Sequence, residues 1–292
     1  MDQYVTKEKL TEFIQAAFSE DVGDGDHSTL AAVPPGLEGS AELIIKEDGI
    51  IAGLALAKMI FHHFDKDLKV MLKLKDGQEV KKGDIGLTVS GKAASILTTE
   101  RLVLNCLQRM SAIATKTNRL NKLIQHTSAQ LLDTRKTTPN FRVMEKWAVA
   151  IGGGKNHRFA LYDMVMLKDN HIDFAGGISN AVNSTREYLK KNRLDLKIEV
   201  ETRNLEEVKE VLEVGGVDII MLDNMDESTM RAAVRLIAGK YKTEASGGIT
   251  EASIKTVAEC GVDYISVGAL THHVKSMDIS LKAVKHHQQT EA

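Results

Sequence analysis

Residues 133–172, DTRKTTPNFRVMEKWAVAIGGGKNHRFALYDMVMLKDNHI, crowd together Arg135-Lys136, the triple glycine Gly152-Gly153-Gly154, the pair His157-Arg158, and Lys168 at the end of an apolar run. Seven basic residues (Arg135, Lys136, Arg142, Lys146, Lys155, Arg158, Lys168) face four acids (Asp133, Glu145, Asp163, Asp169), in a chain whose formal net charge is −2. A local cationic excess on a near-neutral protein points to a small anionic ligand. Arg135, His157, Arg158 and Lys168 offer planar and point-charge donors suited to carboxylates and phosphates. One such residue alone reads as solvated surface; four beside glycine-rich loops and strand ends fit a multiply anionic substrate. His157 has the chemistry of a general base, but binding is the simpler role if the substrate carries two carboxylates. The triple glycine reads as a flexible or sharply bent loop that positions His157-Arg158.

Two further glycine sites matter. Ser246-Gly247-Gly248-Ile249 and Val267-Gly268-Ala269 each end a candidate strand and lead toward a helix. Glycine lets an anion approach the backbone, and N–H groups at a helix start receive phosphate. Either pair alone reads equally well as turn glycines; both at late strand ends favour phosphate. Glu201 and Asp223 end different strands and suit Mg²⁺, directly or through water, because that hard cation takes oxygen ligands. An ion pair with Lys168 accounts for Glu201 just as well. Asp169, Asn170 and Asn224 read as turn or capping residues.

The elements that must carry these groups follow from periodicity. Residues 6–19 place Leu10, Phe13, Ile14 and Phe18 at helical spacing. EDVGDGDHST then reads as a solvated connection, since its acids lack a Ca²⁺-loop spacing. ELIIKEDGIIAGL is strand-like and precedes an apolar helix ending near His62-His63-Phe64. LKVMLKLK and GDIGLTVSG flank the turn-rich DGQEVKKG as a hairpin. From 95 to 125 a helix carries Val103, Leu107, Met110 and Ala114 as its core stripe. Arg101 lies about 200° from Val103 on that helix and points away from the stripe. Beyond 125, the runs 163–170, 197–201, 218–224, 242–248 and 263–269 alternate with helical segments, which implies parallel strands with right-handed crossovers, a barrel being favoured. Arg135, Lys136, Lys168, Glu201, Asp223, Ser246 and Gly268 then meet at the carboxyl-end mouth, the catalytic face of such folds.

Composition sets bounds. With 292 residues and 43% hydrophobic content the chain can bury one large or two modest cores. No basic arm interleaved with aromatics is present, so nucleic acid is not an expected partner. No apolar run reaches membrane-spanning length and no leader pattern opens the chain. Cys106 and Cys260 are far apart in apolar surroundings, which argues against structural zinc and disulfides and fits a reducing, cytoplasmic setting.

An ordered series of motifs resembles the quinolinate phosphoribosyltransferase family, also called carboxylating nicotinate-nucleotide pyrophosphorylases: Asp133-Thr-Arg-Lys-Thr-Thr-Pro139, Gly152-Gly-Gly-Lys-Asn-His-Arg158, Leu167-Lys-Asp-Asn-His171, Leu222-Asp-Asn224, Ser246-Gly-Gly248 and Val267-Gly-Ala-Leu-Thr-His272. Glu20–Thr29 and Glu100–Asn105 share the resemblance, which runs almost end to end. The departures are Asn140 in place of glycine, Lys155 in place of histidine, and one extra residue between Glu201 and Asp223. The resemblance implies an N-terminal α/β sandwich (residues 1–112, with 273–292 packing back on it) and an incomplete, open α/β barrel (113–272) of type II phosphoribosyltransferase kind. It also implies a homodimer, or a hexamer of dimers, whose active site is shared between subunits, with Arg101 reaching quinolinate in the neighbour. By the same carry-over Thr134, Arg135, Lys136, His157, Arg158 and Lys168 hold the pyridine dicarboxylate and the phosphates. Glu201 and Asp223 contact ribose hydroxyls and Mg²⁺, and Ser246, Gly247, Gly248, Val267, Gly268 and Ala269 cradle the 5′-phosphate. Lys136, Lys168, Glu201 and Asp223 are the catalytic candidates.

The implied reaction joins quinolinate to phosphoribosyl pyrophosphate, giving nicotinate mononucleotide, pyrophosphate and CO₂ in NAD synthesis. Two competing readings are a phosphoribosyltransferase for nicotinate or another base, needing no second carboxylate pocket, and a non-catalytic phosphate-ligand sensor.

Overall fold

The computed structural model describes residues 4–284, which divide into two compact units. The first contains the chain up to Asn118, Thr138–Gly153 and the residues from His273. The second contains Arg119–Thr137 and Gly154–His272. Residues 138–153 thus group with the first unit, whereas the sequence assigns them to the second.

In the first unit, α1 (Lys7–Asp21) starts at Thr6, whose hydroxyl accepts the Lys9 N–H. The segment expected to be a solvated connection instead turns into α2 (His27–Ala32): Asp26 caps it by accepting the Thr29 N–H at 3.1 Å. A four-stranded antiparallel sheet follows, in the order β12-β1-β5-β3, built from β1 (Glu38–Ile45), β3 (Lys69–Leu72), β5 (Ile85–Lys92) and β12 (Ile279–Ala283). Alternation fixes its register: Ala41, Leu43 and Ile45 of β1 are buried while the residues between them are not. Residues 279–283 join the sheet at Ala41↔Ala283 through Ile45↔Ile279; residues 285–292 of the expected packing-back segment lie outside the described range. The short strands β2 (Gly49–Ile50) and β4 (Glu79–Val80) pair with each other. Thus β3 and β5 form the expected ladder, but the turn-rich stretch between them feeds a second small sheet. Helix α3 (Leu54–Phe64) buries Leu54, Leu56, Ala57, Ile60 and Phe61.

Helix α4 (Ala93–Ile124) carries the expected stripe: Val103, Leu107, Met110 and Ala114 are fully buried, and Arg101 is exposed. Helix α5 (Arg142–Ile151) ends at Gly152. A Cβ there would sit 2.5 Å from the Ala114 carbonyl and 2.7 Å from Thr117 Cβ, so this glycine serves the close approach of α5 to α4.

The second unit alternates strand and helix: β6 (Gln130–Leu132), β7 (Val165–Leu167), α6 (Asp169–Ala175), α7 (Ile178–Asn192), β8 (Ile198–Thr202), α8 (Leu205–Val214), β9 (Ile219–Asp223), α9 (Glu227–Ile237), β10 (Lys242–Ser246), α10 (Ile254–Ala258), β11 (Tyr264–Ser266) and α11 (Ala269–His272). Its sheet is parallel throughout, in the order β6-β11-β10-β9-β8-β7. Among the described residues β6 and β7 do not pair, which leaves the barrel open. The chain between them forms α5 and a turn-rich run instead of another strand–helix repeat; only Lys155 adds a parallel bridge, to Leu132. All five residues of β8 are buried, as expected for a parallel strand covered on both faces. Glu199 and Glu201 therefore share one face, while Ile198, Val200 and Thr202 share the other.

Candidate active site

The carboxyl ends of the parallel strands frame a cavity of about 780 Å³. Thr134, Arg135 and Lys136 follow β6, and His157 and Arg158 come from the Lys155 segment. Lys168 follows β7; Glu201 is the last residue but one of β8, and Asp223 closes β9. Ser246 ends β10 with Gly247 and Gly248 just after it, and Val267, Gly268 and Ala269 follow β11. Every predicted site residue except Arg101 lines this cavity. Asn224 and Glu244 line it too, although the sequence pattern gave neither a site role.

Local chemistry holds the rim in shape. The fully buried Asp133 accepts the His157 N–H at 2.8 Å and Asn156 Nδ2 at 2.6 Å, which pins residues 155–157 beside β6. The Thr271 hydroxyl donates to the Lys136 carbonyl at 2.7 Å. A Cβ on Gly268 would lie 3.0 Å from Lys136 Cδ and 3.0 Å from His272 Nε2, so glycine leaves room for the lysine stem. The Lys168 N–H donates to His171 Nδ1 at 3.0 Å, which sets the start of α6.

Like charges are pressed together. Burial first, and the Arg135 charge second, lower the pKa of Arg158, whose Nη1 donates to the Met164 carbonyl at 3.1 Å. Arg135 Nε is buried without a hydrogen-bond acceptor, a donor left open for an anionic ligand. On the acidic side, burial first and the Asp223 charge second raise Glu201, with Lys168 Nζ 3.7 Å away. Two repelling carboxylates at one mouth fit a hard dication, Mg²⁺ among them.

Beneath this rim lies a group the sequence left unmarked. His157 Nε2 is 3.0 Å from Glu199 and 3.2 Å from Glu244, both carboxylates being fully buried. One N–H does not point at two acceptors, and neither carboxylate receives a well-directed hydrogen bond. Burial alone lowers the His157 pKa; the two glutamates outweigh it and raise it to about 10. Burial, then the Glu244 charge, pushes Glu199 up to about 7. His157 Nδ1 accepts the Arg158 N–H at 2.7 Å, which leaves Nε2 as the ring nitrogen that faces the glutamates. One nitrogen and two carboxylates within 4.8 Å of one another also make a group that could hold a metal ion. His157, expected to grip substrate, thus has its ring nitrogens engaged by protein groups. Met166 and Met221 line the same cavity, and both pack with Met164 and Ile219.

Comparison with known proteins converges on one family. Residues 113–282 match the family described as quinolinate phosphoribosyl transferase, C-terminal domain, and residues 26–111 match its N-terminal domain. The chain is 50% identical over 284 residues to a tobacco (Nicotiana tabacum) protein named quinolinate phosphoribosyltransferase (decarboxylating) 1b, covering 92% of this chain and 81% of that one. It is 50% identical over 290 residues to an Arabidopsis thaliana protein named nicotinate-nucleotide pyrophosphorylase (carboxylating), chloroplastic, covering 94% and 82%. The solved structure of the nicotinate-nucleotide pyrophosphorylase from Francisella tularensis superposes with a TM-score of 0.89 at 38% identity, covering 96% of this chain and 98% of that one.

Proposed function

The chain belongs to the quinolinate phosphoribosyltransferase family, and we propose how its cavity divides the work of that reaction. The protein is a carboxylating nicotinate-nucleotide diphosphorylase, a pentosyltransferase that converts quinolinate and phosphoribosyl pyrophosphate into nicotinate mononucleotide in NAD biosynthesis. Arg135, Lys136, Arg158 and Lys168 take the two carboxylates and the pyrophosphate; Glu201 and Asp223 take ribose hydroxyls; the glycine corners at 246–248 and 267–269 take the 5′-phosphate. The observation that carries this reading is the crowding of cations around an unsatisfied Arg135 Nε, which an anion with more than one charge relieves. Nicotinate, with one carboxylate, would leave part of that charge unmatched.

The residues work by positioning and neutralisation, and no covalent nucleophile is required. Lys136, Lys168 and the arginines stabilise charge on the departing pyrophosphate as the ring nitrogen bonds to the anomeric carbon. The quaternised ring then stabilises the electron pair left when the adjacent carboxylate departs as CO₂, and that carbon takes a proton from water to give nicotinate mononucleotide. Magnesium, held by Glu201 and Asp223 directly or through water, would add charge neutralisation when bound.

A homodimer, or a hexamer of dimers, with Arg101 of one subunit serving the other's site, completes the reading. Division of the chain near residue 112 into sandwich and barrel domains belongs to it as well. No described helix is long and apolar enough to cross a membrane. A cytoplasmic location is part of the proposal, and the Arabidopsis relative's chloroplastic name sets the alternative that cell fractionation decides. The central test compares quinolinate with nicotinate, following pyrophosphate and CO₂. Wild-type protein should release both from quinolinate, and Arg135→Ala and Lys168→Ala should each lower kcat/KM by about 10²-fold or more. Near-normal kcat/KM in both variants, or equal use of nicotinate, contradicts the assignment.

A further inference from the structure

Asn224 lies just past the end of β9 and holds a left-handed backbone, φ 53°. Its Nδ2 donates to Asp223 Oδ2 at 2.5 Å, and its backbone N–H donates to the Ser246 carbonyl at 2.9 Å. A Cβ added to Gly247 would run into the Asn224 side-chain amide and come within 2.8 Å of its backbone nitrogen. One residue thereby touches both ends of a subsite: the carboxylate that ends β9 and the glycine corner that follows β10. Gly247 is kept bare by Asn224 as much as by any ligand.

We propose that Asn224 is a positioning residue that ties Asp223 to the Ser246-Gly247 corner and so fixes the span between the sugar-hydroxyl and phosphate subsites. The inference rests on the functional reading above. A ribose 5-phosphate is a short, stiff unit bearing hydroxyls at one end and a phosphate at the other, so a fixed span selects it and costs no ordering when it binds. Holding Oδ2 of Asp223 also leaves its other oxygen for the ligand. A bare turn residue at this position would need only the left-handed backbone.

Substitution by glycine separates these roles, because glycine accepts φ 53° without strain and removes only the side chain. Asn224→Gly should weaken calorimetric binding of phosphoribosyl pyrophosphate with Mg²⁺ by about tenfold. It should leave KM for quinolinate within about twofold and the thermal midpoint close to wild type. Asn224→Asp, which tolerates the same backbone but replaces the donor with a second carboxylate, should weaken binding further. Phosphoribosyl pyrophosphate affinity unchanged in Asn224→Gly overturns the proposal. So does a parallel loss of affinity for both substrates with a fall in thermal midpoint, the pattern of a purely structural role. Binding is measured without quinolinate, so a wild-type protein that binds phosphoribosyl pyrophosphate yet fails to release CO₂ from quinolinate overturns the functional reading and leaves the positioning role supported by the variants' binding.

Discussion

Cys106 lies within α4 with 1% of its surface exposed, and burial pushes its thiol up to about 12. Burial also raises Cys260, which sits 6% exposed after α10. The thiolate is the reactive form, so at pH 8 a group titrating near 12 is ionised about once in 10⁴ molecules, against roughly a quarter for an ordinary cysteine. Native protein should therefore react slowly with a disulfide reagent at pH 8, and both thiols should react rapidly once unfolded. Two fast thiols in the native state would mean that α4 opens far more readily than its packing indicates. Other single residues were legible for reasons of type. Lys168, Glu201 and Asp223 stand out because charge at the end of an apolar strand is unusual, and Asn140, where the family resemblance leads one to expect glycine, has φ 61°, a conformation that asparagine tolerates better than most residues. Glu199 and Glu244 were not legible: a glutamate inside a strand declares neither its face nor its neighbours until β8, β9 and β10 are in register.

At the scale of elements, the triple glycine changes meaning once α4 and α5 are seen together. Its first member serves packing, because a methyl at Gly152 would press into the Ala114 carbonyl and Thr117. Gly152→Ala should cost about 1–3 kcal/mol by forcing the two helices apart, lowering the thermal midpoint by several degrees. A midpoint equal to wild type would show that the Ala114–Thr117 turn yields without loss. The parallel strands from 163 onward were readable because apolar runs of strand length alternate with amphipathic helices. Strand β6 was not named in advance: three residues, Gln130–Leu132, are too few to show a period. α2 was hidden by the acidic, glycine-rich run before it, although Asp26 followed three residues later by Thr29 is a capping arrangement that the spacing contains.

At the scale of the whole molecule, Arg101 sits exposed on α4, opposite the buried stripe, and is the one expected site residue that does not line the cavity of its own chain. Sequence patterning finds such a residue but not the copy it serves, because helical periodicity reports which face is buried and not what covers the other. The proposed dimer turns this into arithmetic. Take one chain with Arg101→Ala and another with Lys168→Ala, each inactive as a homodimer, and let equal amounts exchange subunits freely. Half of the dimers are then mixed, and in each of these one site combines an intact Lys168 with an intact Arg101 from across the interface, so activity should return to about a quarter of wild type. If Arg101 served its own chain, every site in every dimer would still lack one of the two groups and nothing would return. Recovery near a quarter, with exchange verified by mass, supports a site assembled from two subunits; none, under the same verification, makes each chain's site self-sufficient.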